Sequence, residues 1–172
     1  EYDTAFFDKG PKFLHYQPFA SILTGIEFDH ADIYRDVDHI KESFRKYVKT
    51  IDPEGFLLVE FSDRHAREVL AGATCTVETY GFSSDADWSA DGYRFEDGSG
   101  HFTLCHRGKT AGTFQLPMIG RHNIENAVAV AAMGLKLGLT AGEIERAFTN
   151  FQGIKRRQEI VGVKNGVTVI DD

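Results

Sequence analysis

Two kinds of hydrophobic pattern take turns along the first half of the chain: short apolar runs that predict strands, and three-to-four-residue repeats that predict helices. Residues 21–26 and 54–61 are apolar enough to form buried strands of a parallel sheet, and residues 75–82 predict a further strand. Between them, apolar side chains in residues 36–50 recur every three or four positions, which is typical of an amphipathic helix that its opening aspartate can cap. Residues 63–71 predict a shorter helix. This alternation of strands and helices predicts an α/β fold with parallel pairing.

Short alternating segments separated by glycines follow in residues 84–117. They are typical of the hairpins of an antiparallel meander. We interpret them as a smaller subsheet at the periphery of a mostly parallel central sheet with flanking helices. Near the start of the chain, residues 12–16 predict one more short strand, which Pro18 ends.

Two helices and a hairpin are predicted for the last third of the chain. Residues 120–138 form an alanine-rich helical segment, and residues 140–151 form a second one. In the second helix, Thr140 and the glutamate three positions later are spaced as a capping box. Residues 156–172 alternate around Asn165-Gly166, a dipeptide that favours the tight turn of a β-hairpin.

Composition narrows the class of protein. The 172 residues are 42% hydrophobic, enough for one core, and a formal net charge of −7 argues against nucleic acid or an anionic membrane as partner. No segment has the roughly 20 apolar residues of a membrane-spanning helix, and residues 1–12 lack a secretory signal pattern. Cys75 and Cys105 form no paired motif, so neither a zinc site nor a disulfide framework is expected. We expect a cytoplasmic protein, cut from a longer chain at its abrupt acidic start.

A dense polar group follows the first predicted strand: Glu27, Asp29, His30 and Asp32. Side chains at the carboxyl end of a buried parallel strand lie where α/β proteins build their sites. One hypothesis is a metal site. The other is a capped helix start with a histidine whose hydrogen bonds are satisfied, and the residues alone leave both open.

Two more groups are candidates for binding. His122, Asn123 and Asn126 open the alanine-rich helix, where neighbouring amide side chains can pair with the edge of an adenine ring. Asn123 is equally suited to be a plain N-cap. The basic triplet at residues 155–157 stands before a predicted strand, where a run of charge is ordinarily a solvated edge.

Taken in order, five motifs resemble the central ATPase domain of the Mur ligase family. They are EYD at residues 1–3, ILTGIEFDHAD at 22–32, GRHNIENAVAVAA at 120–132, GIKRRQE at 153–159 and GVTVIDD at 166–172. The resemblance covers nearly the whole chain. Through EYDTAFFDK, KFLHYQP and EFDHADIY, the chain is most similar to the branch of the family that recycles peptidoglycan.

The resemblance implies an ATP-driven amide synthesis. The carboxylate of UDP-N-acetylmuramate would be phosphorylated, and the amine of a murein tripeptide, L-Ala-γ-D-Glu-meso-diaminopimelate, would attack the acyl phosphate. L-Alanine is the alternative amine. Phosphoryl transfer needs a divalent metal to neutralise the phosphate oxygens, so ATP and Mg²⁺ or Mn²⁺ are the implied cofactors.

The resemblance also implies roles for individual residues. The family's contacts fall on His30 for the metal, on His122, Asn123 and Asn126 for adenine, on Arg157 for the ATP phosphates, and on Asp172, or Asp171 in its place, for the ribose. Of these, His30 and Arg157 would take part in catalysis. A further set would support the metal or contact the substrate: Glu1, Asp3, Asp29 and Asp32.

The family's phosphate-binding loop does not occur in these residues. Residues 108–110, Gly-Lys-Thr, imitate its end, but they lie in a hairpin pattern, not between a strand and a helix. In the family, the loop and a metal-binding glutamate precede the EYD motif, and the uridine-binding and C-terminal domains lie outside the matched region. We therefore expect residues 1–172 to be one incomplete central domain that binds ATP weakly or not at all in isolation. A carbamylated lysine is not predicted, because Phe44-Arg45 holds its expected place between Lys41 and Lys46.

Two other classes of function stay open at this point. A metal-dependent hydrolase would complete the polar group of residues 29–32 with His15, His39 or His65. A non-catalytic binding module would retain the fold without the phosphate loop. Both differ from the ligase in their response to nucleotide.

Overall fold

The computed structural model describes residues 10–29, 34–154 and 159–171. Its strands are β1 (Ala20–Leu23), β2 (Phe56–Glu60), β3 (Thr76–Gly81), β4 (Trp88–Glu96), β5 (Ser99–His106), β6 (Lys109–Leu116), β7 (Glu159–Lys164) and β8 (Val167–Asp171). Its helices are α1 (Val37–Val48), α2 (Arg64–Glu68), α3 (Arg121–Lys136) and α4 (Ala141–Thr149). In the described ranges, none of these helices is long and apolar enough to cross a membrane.

One six-stranded sheet organises the fold, in the order β1-β2-β3-β4-β5-β6. The first four strands pair in parallel, and β4, β5 and β6 continue as an antiparallel meander. The predicted α/β class with a mostly parallel sheet is confirmed. The meander predicted for residues 84–117 extends the same sheet, while β7 and β8 form a small antiparallel sheet of their own.

The parallel and antiparallel parts are joined by a short link between β3 and β4. The Asp87 carboxylate accepts hydrogen bonds from the Thr79 backbone N–H at 2.9 Å and its hydroxyl at 3.0 Å. Only two residue pairs then connect the strands, Tyr80 with Trp88 and Gly81 with Ser89. Two parallel strands ordinarily need a long crossover connection. Here β4 pairs only with the last two residues of β3, so a short loop is enough to connect them.

Because β4 begins where β3 ends, the β4–β5 hairpin projects past the carboxyl ends of the parallel strands. From Ser89 to Glu96 the strand adds ~23 Å at ~3.3 Å per residue. Its tip is Asp97-Gly98, with φ of 49° and 75°. At the opposite end of β5, Arg107-Gly108 makes a turn with the same two angles.

The helices cover the sheet on both faces. Leu58 points into one apolar cluster, which α3 and α4 close. Its neighbours Leu57 and Val59 point into the other, which α1 and α2 close. Successive residues of β2 therefore serve opposite layers, and all five are buried, as predicted for a central parallel strand.

The predicted end signals of three elements are confirmed. Asp36 caps α1, its carboxylate accepting from the His39 backbone N–H at 2.8 Å. Thr140 and Glu143 form a reciprocal capping box at the start of α4. The hairpin β7–β8 turns at Asn165-Gly166, with φ of 52° and 78°.

The strand predicted for residues 12–16 is wrong: Lys12–His15 form a 3₁₀ turn. Phe13 packs between two aromatic rings of α1, with centroids 4.9 Å from Phe44 and 5.3 Å from Tyr47. The backbone N–H of Leu14 donates to Pro11 at 3.1 Å. The packing of Phe13 against α1 therefore determines the conformation of residues 12–15, and the alternation of apolar and polar residues there does not.

Candidate functional site

The parallel strands β1, β2 and β3 end at one edge of the sheet, and the loops that follow them begin there. The loop after β1 is fixed there by Asp63, whose Oδ2 accepts from the Ile26 backbone N–H at 2.7 Å. The other oxygen, Oδ1, accepts from Ala66 N–H at 2.9 Å and caps α2. One carboxylate thus links the acidic loop after β1 to the start of the next helix.

This loop forms one wall of a cavity of about 450 Å³ between β1 and α1. Glu27 and Asp29 are exposed on the polar side, and Phe13, Ile40 and Phe44 form the apolar side. The predicted metal ligand, His30, and its neighbour Asp32 lie outside the described residues. The structure therefore fixes where their loop departs from β1, and their roles stay predictions.

Among the described residues, no group of three or more histidine, cysteine, aspartate or glutamate side chains is arranged to hold a metal ion. His39 instead accepts a hydrogen bond from the Arg35 backbone N–H at 3.4 Å and contacts the Tyr34 ring. His65 lies 3.8 Å from Glu68. The hydrolase alternative also needs His30 and Asp32, which lie outside the described residues, so it stays a prediction.

Glu60, the last residue of β2, shapes the turn that follows it. Its carboxylate accepts from the Ser62 N–H at 2.9 Å, the Ser62 hydroxyl at 2.8 Å and the Asp63 N–H at 2.6 Å. These three hydrogen bonds define the conformation of the turn and place Asp63 for its two contacts. This residue was not among the predicted site residues, and an acid that ends an otherwise apolar strand is the signal that indicates it.

A second carboxylate, Glu125, approaches Glu60 from the first turns of α3. A methyl group at Gly81 would lie 3.2 Å from Glu60 Oε1 and 3.8 Å from Glu125 Oε1, so both acids flank the space before this glycine. Burial raises the pKa of Glu125, the Glu60 charge adds to that effect, and the Arg121 guanidinium opposes it. The carboxyl edge is thus locally acidic, which is unfavourable for a phosphate at this point.

The amide pair predicted for the start of α3 is present there, with different roles for its members. Gly120 is the N-cap residue, with φ of 104°, so the alternative that Asn123 is the cap is wrong. Asn123 is buried and donates from Nδ2 to the Ile119 carbonyl at 2.7 Å. Asn126 and His122 are exposed. Since an amide has two N–H donors and one acceptor, Asn123 retains hydrogen-bonding capacity.

The two amides lie on a groove of about 420 Å³ between α3 and α4. Its other lining is apolar: Leu116, Met118, Ala127, Val130, Ala147, Phe148, Phe151 and Ile154. An apolar cavity with a few polar groups is the usual form of a small-molecule site. This lining suits a ligand with few polar atoms better than a sugar or a peptide backbone, whose many polar groups would be left without partners.

The remaining predicted residues cannot be placed together with this groove. Glu1, Asp3, Arg157 and Asp172 lie outside the described residues. The backbone of Asp171 ends β8, paired with Glu159. Their proposed contacts with phosphate, ribose and substrate therefore stay predictions.

Comparison with known proteins gives a consistent result. Residues 10–134 match the Mur ligase middle domain. UDP-N-acetylmuramate–L-alanine ligase of Desulforapulum autotrophicum is 36% identical over 160 residues, covering 93% of this chain and 35% of that protein. The UDP-N-acetylmuramate–L-alanyl-gamma-D-glutamyl-meso-2,6-diaminoheptandioate ligase of Haemophilus influenzae is 36% identical over 172 residues, covering 100% and 37%.

A solved structure agrees in fold and in sequence. The UDP-N-acetylmuramate:L-alanyl-gamma-D-glutamyl-meso-diaminopimelate ligase from Neisseria meningitides superposes with a TM-score of 0.79 at 36% identity, over 91% of this chain and 47% of that one. The chain spans a little over a third of the length of the two curated relatives. The resemblance carried by the five sequence motifs is confirmed, and the chain belongs to the Mur ligase family.

Proposed function

We propose that this chain is the adenine-binding part of an ATP-dependent ligase that joins an amine to the carboxylate of UDP-N-acetylmuramate. The observation that carries the proposal is the groove between α3 and α4, with Asn123 and Asn126 beside an otherwise apolar lining. Relatives named as ligases of UDP-N-acetylmuramate support the reaction class. The protein that contains this chain would need a phosphate-binding loop in addition.

The groove would orient the nucleotide through two kinds of contact. The exposed amide of Asn126 can donate to and accept from the edge of the adenine, while Asn123, held by Ile119, offers a fixed second group. Phe148 and Leu116 would cover apolar ring surface and exclude water. The triphosphate would then extend toward the carboxyl ends of the parallel strands, where ligands of α/β sheets bind, and a bound divalent metal would offset its repulsion by Glu60 and Glu125.

The proposed reaction has two steps. A carboxylate oxygen of the sugar nucleotide attacks the γ-phosphorus of ATP, and ADP leaves with the electrons of the broken phosphorus–oxygen bond. The amine nitrogen then attacks the acyl carbon, inorganic phosphate leaves, and the nitrogen loses a proton as the amide forms. A divalent metal, when bound, would neutralise phosphate charge, and we expect His30 to be a ligand and Arg157 to contact the phosphates.

For the amine, we propose the tripeptide L-Ala-γ-D-Glu-meso-diaminopimelate, which would place the protein in peptidoglycan recycling. The relatives from Haemophilus influenzae and Neisseria meningitides carry that substrate in their names, and the EFDHADIY motif supports this branch. L-Alanine is the second candidate, since other relatives, at 36% and 37% identity, are named for it.

The decisive test is turnover by the full-length protein with ATP, Mg²⁺ and UDP-N-acetylmuramate. Phosphate release would be measured with tripeptide, with L-alanine and with no amine. We expect release that depends on the tripeptide, together with a new amide product by mass spectrometry. Release only with L-alanine would reassign the substrate, and no amine-dependent release would reject the ligase proposal.

Replacing His30 with alanine tests the metal role. We expect kcat to fall at least about 100-fold, because a phosphoryl transfer without its positioned metal loses several kcal/mol of transition-state stabilisation. Titration of Mn²⁺ in the same variant should show weaker metal binding. Unchanged kinetics would make residues 29–32 a helix start without a catalytic role.

Replacing Asn126 with alanine tests the adenine groove. We expect the KM for ATP to rise about tenfold with little change in kcat, the result of losing one binding hydrogen bond of ~1.4 kcal/mol. Gln17→Ala is the control, since Gln17 is an exposed amide in the loop before β1 and does not line the groove. Equal effects of the two changes would argue against an adenine contact.

A further inference from the structure

Helix α3 carries the groove amides, and the surface that it buries is smooth. The side chains that it buries against the sheet beyond its first turn are small: Ala127, Val128, Ala129, Ala131, Ala132 and Gly134. Helices keep their position along a neighbouring surface by fitting side-chain ridges into grooves. Rows of alanine make shallow ridges along the middle of the helix, so the contacts at its two ends, including the buried Ile124 side chain in the first turn, contribute to its axial register.

Both ends carry a polar contact, and the one in the last turn reaches the sheet. In the first turn, Asn123 Nδ2 donates at 2.7 Å to the carbonyl of Ile119, in the loop that leads into the helix. In the last turn, Lys136 Nζ lies 3.0 Å from Glu78 Oε2, and 5.1 Å from the centre of the Phe56 ring. The Lys136 side chain is 20% exposed and that of Glu78 only 8%, so this ion pair is shielded from solvent.

Glu78 is itself fixed in the middle of β3. Its Oε2 accepts from the Trp88 indole N–H at 2.7 Å, and Arg107 lies 3.5 Å from Oε1. His106, stacked on Trp88 at 4.0 Å, has Nε2 3.7 Å from the same oxygen. Burial opposes ionisation, yet the Trp88 and Lys136 contacts hold the pKa of Glu78 below its ordinary value. The sheet thus presents a buried, hydrogen-bonded negative charge to the end of α3.

We propose that Glu78 is a positioning residue for the nucleotide groove, acting through Lys136 and the axial register of α3. This inference rests on the proposed function. The helix spans ~20 Å from Asn123 to Lys136 at ~1.5 Å per residue. A helix is stiff along its axis, so release of the Lys136 end lets the first turn shift, and small misplacements of binding groups cost affinity.

The test compares charge removal at Glu78 with charge removal beside it, in the full-length protein. Glu78→Gln and Lys136→Met break the contact from either side, and the double variant tests whether they act as one unit. Asp87→Asn is the matched control: the Asp87 carboxylate also accepts from Arg107, at 3.1 Å, but its other hydrogen bonds involve Thr79 and none reaches α3. Lys136→Arg keeps the positive charge and should restore the contact.

Two readouts separate positioning from general destabilisation. The first is ATP affinity, expected to fall about tenfold in each single variant and no further in the double. The second is hydrogen exchange of the backbone amides of residues 123–126, expected to accelerate while residues 141–149 of α4 stay unchanged. Asp87→Asn and Lys136→Arg should match the parent protein in both.

Each other outcome has a defined meaning. Unchanged exchange at residues 123–126 in Glu78→Gln overturns the inference, as does an equal change in the Asp87→Asn control. If the parent protein binds no ATP but the exchange of residues 123–126 responds as expected, the ligase proposal fails, while the placement of α3 by Glu78 is supported.

Discussion

Glu68 shows how a single carboxylate can join two elements. Lys41 of α1 lies 3.0 Å from Oε2, and Arg64 of α2 lies 2.6 Å from Oε1. The hydrogen bonds from Lys41 and Arg64 lower the pKa of Glu68 to about 2. Because the folded state favours the ionised form, this contribution to stability is present above the ordinary glutamate pKa of 4.5 and is lost as the pH falls toward about 2.

Glu68→Gln should therefore lower the melting temperature at pH 7 by about 1–2 °C, with the difference shrinking as the pH falls from about 4.5 to about 2. Glu42→Gln, at an exposed glutamate of α1, is the control and should show no such pH dependence. Calorimetric scans at several pH values measure both. A constant difference across the whole range would contradict a charge-based role for Glu68.

At the residue scale, the sequence was most informative where chemistry is local. Asn123 and Asn126 could be predicted as neighbours because helical spacing places them so. The bond from Asn123 to Ile119 could not, since it depends on the turn that Gly120 makes with a φ of 104°. The approach of Glu125 to Glu60 depends on the packing of α3 across the sheet, which local spacing does not encode.

At the scale of elements, Gly55 limits how closely β1 and β2 can pair. A methyl group there would lie 1.9 Å from the Phe19 carbonyl oxygen and 2.8 Å from its carbon. Both are backbone atoms, and that oxygen accepts the Phe56 N–H that begins the β1–β2 pairing. The clash has no side chain that could move aside to relieve it.

Gly55→Ala should therefore destabilise the fold by about 3 kcal/mol, at the upper end of the cost of overpacking. Gly142→Ala is the opposite case: its added methyl would meet only Arg146, at 3.7 Å, inside α4. It should stabilise the protein by about 0.5 kcal/mol, since alanine favours the helix. Urea unfolding of both variants gives the comparison, and a tolerated Gly55→Ala would show that β1 can move away from β2.

Periodicity predicted most elements because their burial is regular. The five buried residues of β2 and the caps of α1 and α4 follow directly from residue type and spacing. The 3₁₀ turn at Lys12–His15 does not follow from spacing, because it depends on the packing of Phe13 against α1. The short link between β3 and β4 does not either, because it depends on the hydrogen bonds between Asp87 and Thr79. Both are contacts between separate segments of the chain.

At the scale of the whole molecule, β2 separates two apolar layers. Leu57 and Leu58 are both fully buried, on opposite faces of the sheet. Each truncation to alanine should cost about 2–5 kcal/mol, through lost burial and the cavity left behind. Since the two side chains share no cluster, the double variant should equal the sum within about 0.5 kcal/mol, although the residues are adjacent.

Equilibrium unfolding of the two single variants and the double variant measures this additivity. A large interaction energy would mean that the layers relax together through the β2 backbone. The α/β class itself was predictable from the sequence because strands and helices alternate. That the meander continues the parallel sheet could not be predicted from the sequence, because only two residue pairs connect β3 with β4.

The projecting β4–β5 hairpin and the turn at the other end of β5 offer a matched pair of labelling positions. A methyl group at Gly98 or at Gly108 would meet no other atom within 4 Å, and both turns share the same backbone angles. A fluorophore inserted at Asp97-Gly98 would stand on the side of the carboxyl ends of the parallel strands. One inserted at Arg107-Gly108 would stand at the opposite end, so the difference between their signals would report on ligand arrival without altering a binding residue.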